Sequence, residues 1–214
     1  MTSAPPVLDA DRLRAALALP AFDARAAQRL LEPLFRGLPP PARRSEPPRP
    51  GAALLYACPG PHGLEFPLTL RREDLAEHRG QVSLPGGRPE PGESLWEAAL
   101  REAREEVGLR ATEVERVGVL ETLYIPASHT HLHVHVALGP AQPVWEPQAS
   151  EVARIEVVAL ASLLDPARRA MRIRPLRGAD LEVPAFLLGT LEVWGATAMA
   201  LSELAERLRR ACAP

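Results

Sequence analysis

The chain has 214 residues, 46% hydrophobic and 24% charged, enough to bury the core of one medium domain without disulfide or metal staples. Its 25 basic residues are all arginine and face 27 acidic ones, a formal charge of -2. The absence of lysine excludes an amine nucleophile and a phosphate loop ending in Gly-Lys, the absence of asparagine excludes an N-glycosylation acceptor, and the near balance of charge argues against a nucleic-acid partner.

Cys58 and Cys212 are too few for a disulfide framework or a Cys-rich zinc site, and a reducing cytoplasm is expected. No apolar run approaches the roughly 18 residues that cross a bilayer, so no membrane partner is expected. Asp9 and Asp23 are start signals for two short helices over 9–18 and 23–35, expected to pack against the main domain. The Pro-rich run 39–50 reads as a linker, which makes 1–50 an extension and 51–214 the main domain. Residues 52–57 and 66–70 read as strands joined by a Pro-Gly-Pro turn. The segment 93–108 carries the best-marked helix: Ser94 and Glu97 form a capping box, Trp96, Ala99, Leu100, Ala103 and Val107 make an apolar stripe, and Gly108 ends it. Strands are predicted at 117–123, 132–138, 153–159, 171–174 and 181–187, and a closing helix at 196–211. Strands, a helix, more strands and a last helix give an α/β (α+β) fold with a mixed sheet.

Within the marked helix Glu102, Glu105 and Glu106 stand at i, i+3 and i+4, so three carboxylates share one face. A divalent cation would turn that repulsion into coordination, and clustered carboxylate oxygens suit Mg²⁺ or Mn²⁺ rather than zinc. The competing reading is a solvated face on which Arg101 pairs with Glu105. The stretch GRPEPGESLWEAALREAREEVGL decides between them, because it resembles the Nudix box, G-x5-E-x7-R-E-U-x-E-E-x-G-U with U aliphatic. Gly87, Glu93, Arg101, Glu102, Glu105, Glu106 and Gly108 fill the fixed positions. The resemblance implies the Nudix fold, a mixed sheet sandwiched by helices, and divalent-cation-dependent attack of water on a diphosphate linked to another moiety. By position, Glu102, Glu105 and Glu106 would hold the metal with the Gly87 carbonyl, and Glu93 and Arg101 would tie the loop to the helix.

Upstream, LTLRREDLAEHRGQVSLPGG resembles the signature of coenzyme A pyrophosphatases in this superfamily, through Leu68, Thr69, Arg71, Gly80, Pro85, Gly86 and Gly87. Arg72, Ala76 and Leu84 depart from it. The resemblance implies a small-molecule partner, coenzyme A or an acyl-CoA, cut to 3',5'-ADP and 4'-phosphopantetheine or its acyl form. Arg71, Arg72, His78 and Gln81 would contact it, and Arg71, Arg72 or Arg79 could compensate for Ala76. ADP-ribose, nucleotide sugars and dinucleotide polyphosphates are the alternative substrates, and a non-catalytic nucleotide sensor is the alternative of another class. Glu151 is the external candidate for general base and Glu105 the internal one. The row His129, His131, His133 and His135 has strand spacing and reads as a polar strand face, with His133 nearest the ligand, since a straight row cannot converge on one ion. Oligomeric state is left open, a homodimer included.

Overall fold

The computed structural model describes residues 8–33, 45–74, 80–142, 144–176 and 179–213. The chain runs α1 (Ala10–Leu17), α2 (Ala24–Arg29), β1 (Arg49–Gly60), β2 (Gly63–Arg71), β3 (Val82–Ser83), β4 (Gly86–Gly87), α3 (Leu95–Val107), β5 (Glu115–Val119), β6 (Leu123–Ile125), β7 (Thr130–Leu138), β8 (Val152–Ala159), two short 3-10 turns, β9 (Arg169–Leu176), β10 (Ala179–Leu188), β11 (Leu191–Trp194) and α4 (Gly195–Ala211). This is the expected mixed α+β class.

β1 organises the larger sheet. It pairs in parallel with β7 from Arg49↔Thr130 to Ala57↔Leu138, antiparallel with β4 at Ala52↔Gly87, and antiparallel with β2 at its hairpin end. β2 continues to β8 and β3, and β7 continues to β5 and β6. β9, β10 and β11 form a separate antiparallel sheet. Alternation along β1 sends Ala53, Leu55 and Ala57 to one core with Phe66, Leu68, Val134, Val136 and Leu201. Ala52, Leu54, Tyr56 and Cys58 face the other way, onto Ala98, Ala99, Ala103 and Val107 of α3. β1 is therefore buried on both faces and reads as a continuous apolar run. Leu8, Leu13, Ala16 and Leu31 belong to the first core, so the amino-terminal helices share it with α4.

The differences from sequence expectation have local causes. The second helix stops at Arg29, because Pro33 lacks the N–H that a helix carried on to 35 would need. The strand expected over 117–123 is two strands, since the Glu121 N–H donates to Glu203 of α4 at 3.1 and 3.2 Å rather than to a ladder partner. His129 lies outside β7, in the turn before it, with φ 53°. β1 begins at Arg49, inside the run expected to be linker; 34–44 lie outside the described residues. The two-residue strands β3 and β4, and β11, carry no readable period and were not foreseen.

Candidate active site

α3 is built as its sequence requires. The Ser94 Oγ accepts from the Glu97 N–H and the Glu97 carboxylate accepts from the Ser94 N–H at 2.9 Å, while Gly108 closes the helix at φ 67°, a conformation a side chain resists. The Ala-rich face lies on β1, which leaves Glu102 and Glu106 over β4. A methyl group at Gly87 would lie 2.1 Å from Glu102 Oε1, so a side chain there would have to displace that carboxylate.

Arg101 ties the loop to the helix. Its Nε and NH2 donate to the two carboxylate oxygens of Glu93 at 3.0 and 3.1 Å, NH2 also donates to the Arg88 carbonyl, and NH1 donates to Glu102 at 2.9 Å and Glu105 at 3.1 Å. The Glu93 carboxyl is held below the usual range by this fork.

Glu106 is 3% exposed. Its Oε2 accepts from the Gly86 N–H at 3.3 Å, and Arg71 NH1 stands 3.6 Å from Oε1. Burial, then the nearby Glu102, push its carboxyl up to about 7 against the pull of Arg71 and the Gly86 N–H. Glu102 is also raised, by burial first, with Arg101 opposing and Glu105 and Glu151 adding repulsion. Arg71 NH2 donates to Glu151 Oε2 at 3.3 Å, so one guanidinium bridges α3 and the start of β8, and its Nε is buried without a partner in the described structure. Glu151 is held from both sides: its carbonyl accepts from the Arg72 N–H and its N–H donates to the Gln148 carbonyl, while the Gln148 N–H donates to Glu106 O.

Among the described residues no group of three or more acidic, His or Cys side chains is arranged to hold a metal ion. The oxygens of Glu102 and Glu105 are turned to Arg101, and those of Glu106 to Arg71 and Gly86. The donor set itself fits a hard divalent cation: it is oxygen-only, and two of its carboxylates resist ionising together.

A family model described as NUDIX domain matches residues 48–176. The chain belongs to the NUDIX domain family. It is 36% identical over 145 residues to the mitochondrial coenzyme A diphosphatase NUDT8 of Homo sapiens, a match covering 65% of this chain and 61% of that protein. The mouse protein of the same name is 33% identical, covering 65% of this chain and 68% of that one. The uncharacterized Nudix hydrolase NudL of Yersinia pestis is 32% identical, covering 66% and 71%. The chain thus spans less than two thirds of the human relative. The solved structure of the MutT protein from Methanosarcina mazei Go1 shares the NUDIX fold, with TM-score 0.51, 21% identity and coverage of 78% of this chain and 97% of that one.

In this NUDIX chain Glu93, Arg101, Glu102, Glu105, Glu106, Gly87, Arg71 and Glu151 form one acidic cluster of neighbouring groups. Gln81 borders it, its carbonyl accepting from the Arg71 N–H at 3.0 Å. Arg72 is turned elsewhere, onto Asp74 at 2.6 and 2.8 Å and the Ala149 carbonyl at 2.7 Å. His78, with Ala76 and Arg79, lies outside the described residues. The histidine row divides: His129 is pinned in its turn, His131 is exposed, His133 bonds Thr122 at 3.2 Å, and His135 is 2% exposed against Trp96 with neither ring nitrogen partnered. Thr122 and Tyr124 were not singled out from sequence, because their relation to this row arises from pairing between strands.

Proposed function

We propose that this chain is a divalent-cation-dependent hydrolase that cleaves the diphosphate of coenzyme A or an acyl-CoA, giving 3',5'-ADP and 4'-phosphopantetheine or its acyl form. The observation that carries the reaction type is the cluster itself: Glu102 and Glu106, crowded and raised, beside Arg71 and Glu151. Similarity to the coenzyme A diphosphatases supports the substrate.

Glu102, Glu105, Glu106 and the Gly87 carbonyl would hold Mg²⁺ or Mn²⁺, which when bound neutralises the diphosphate oxygens and lowers the pKa of water. Burial favours the protonated form of Glu106, so this residue would hold an ion only as the carboxylate, and more readily as pH rises. Arg101 keeps Glu93 and the Arg88 carbonyl fixed while it yields Glu102 and Glu105. Arg71 stands between Glu106 and Glu151, and its fork matches a phosphoryl group as well as it matches carboxylates. Glu151, half-exposed and facing the carboxylates from β8, accepts the proton of the attacking water; Glu105, bound through Arg101, is the other group able to do so. Charge stabilisation and positioning carry such a reaction, with no covalent intermediate.

A turnover screen of coenzyme A, acetyl-CoA, ADP-ribose and a dinucleotide polyphosphate with Mg²⁺ and with Mn²⁺ tests this reading. Coenzyme A or its thioester is expected to be cleaved fastest. ADP-ribose turnover far above that of coenzyme A sinks the substrate, and binding of nucleotide without any turnover sinks the reaction.

A further inference from the structure

Beside the acidic cluster the face of the large sheet under α3 carries a second set of side chains. Gly87, Ala52 and His133 form one row across β4, β1 and β7. Gly87 is covered by Glu102, and Ala52 belongs to the core under α3, so His133 points to the same side. Two strand spacings, about 10 Å, therefore separate His133 from the metal loop, the order of distance from a nucleobase to its own 5'-diphosphate. The next residue outward on that face is His131, whose cross-strand partner is Tyr124. Their rings meet edge to face with centroids 5.7 Å apart, and Tyr124 is 47% exposed. Inward the row is closed by Trp96 over His135.

This face is held rigidly from behind. The Tyr124 hydroxyl and His129 Nδ1 share a hydrogen bond of 2.9 Å, and His129 Nε2 donates to the Glu46 carbonyl at 2.7 Å, which fixes the positive-φ turn. His133 Nδ1 is held by Thr122. Thr122 follows Glu121, whose N–H is gripped by Glu203 and whose carbonyl accepts from Gln28 Nε2 at 2.9 Å. Burial and the neighbouring His131 keep His133 neutral at physiological pH, with one N–H and one lone pair. Exposed rings beside a donor and an acceptor suit a planar heterocycle, which can stack on the rings and bond at its edge.

We propose that His131, His133 and Tyr124 form a nucleobase platform that seats the adenine end of the substrate, with the diphosphate held at the carboxylates of α3 that cover Gly87. This rests on the coenzyme A reading for the identity of the base, not for the existence of the platform. Specificity for the base is then set by β6 and β7 and not by α3.

The test is binding of adenosine 3',5'-bisphosphate and of 4'-phosphopantetheine, measured separately by calorimetry and by the imidazole proton resonances of the full chain. Adenosine bisphosphate is expected to shift the His131 and His133 resonances, and Tyr124→Leu and His131→Ala are each expected to weaken it about tenfold while changing phosphopantetheine affinity less than twofold. Tyr124→Phe, which keeps the ring and loses the bond to His129, should stay within threefold of the parent. The proposal is overturned if phosphopantetheine is the ligand weakened, if both weaken equally, if Tyr124→Phe loses as much as Tyr124→Leu, or if adenosine bisphosphate leaves both histidines unmoved. Parent protein that fails to cleave coenzyme A yet binds adenosine bisphosphate on these residues would fail the substrate reading alone.

Discussion

A methyl group at Gly87 would meet the movable end of Glu102, whereas one at Gly86 would meet the Ala52 carbonyl at 2.4 Å and the Ala53 Cα at 2.7 Å. The two adjacent glycines therefore fail differently. Gly87→Ala should fold with near-normal denaturant stability and lose at least tenfold in turnover as Glu102 is displaced, while Gly86→Ala should lose about 2 kcal/mol or more by urea titration, because backbone must move. Buried titratable groups make a second prediction. His135 is pushed down to about 4 by burial, then by Arg116 and His133, so the folded protein binds this proton less tightly than the unfolded chain and stability falls on acidification from about 6.5 to 4. Glu106 is raised from 4.5 to about 7, so in metal-free protein stability falls as pH rises through that window. Each effect is worth up to about 3 kcal/mol, and they oppose one another. Thermal unfolding in chelator should show His135→Phe losing stability from pH 4.5 to 7 and Glu106→Gln gaining it, with the parent flatter than either. Parallel slopes in all three would refute the assignment.

At the scale of elements, α3 was legible almost to the residue, because its signals are local: Ser94 and Glu97 at one end, Gly108 at the other, and an Ala stripe between them. Ser94→Ala removes one half of the capping box and should cost about 1 kcal/mol in urea unfolding, with the carboxylates left in place. The three glutamates on one face were likewise readable from spacing. Their partners were legible in part. Arg71 and Glu151 were each singled out, but the single guanidinium bridging Glu106 and Glu151 depends on β2 lying beside β8, a pairing 80 residues apart that no local period encodes. The same holds for the break between β5 and β6, imposed by Glu203 some eighty residues later. His129 had the spacing of a strand residue and left the strand because its ring is claimed by Tyr124 and the Glu46 carbonyl. Local pattern thus identified the chemistry-bearing helix, and tertiary hydrogen bonds decided what stands opposite it.

Across the whole molecule one residue ties the parts together. Glu203 is 0% exposed on α4 and accepts from Gln28 Nε2 of α2 at 2.8 Å, from the Glu121 N–H, and from Arg207 Nε at 2.9 Å. Glu203→Ala removes the acceptor of the Glu121 N–H and Arg207 Nε, leaves Gln28 Nε2 only the Glu121 carbonyl, and should cost about 3 to 5 kcal/mol in thermal or denaturant unfolding. Limited proteolysis of that variant should cut first near α2, which would then be held to α4 by the Ser202 Oγ bond to the Ala27 carbonyl and by apolar contact. Cleavage elsewhere would show that the apolar contacts of Leu13, Ala16 and Leu31 suffice to keep the extension docked. The clasp also has a consequence for synthesis. Gln28 and the Glu121 corner wait for an acceptor made only after 174 and 81 further residues, respectively, have followed them. Neither can settle while the chain is still short, so the corner behind the histidine face is completed only when α4 docks, and ribosome-bound fragments ending before α4 should show the NUDIX helix formed while the β5–β6 turn remains unprotected from hydrogen exchange.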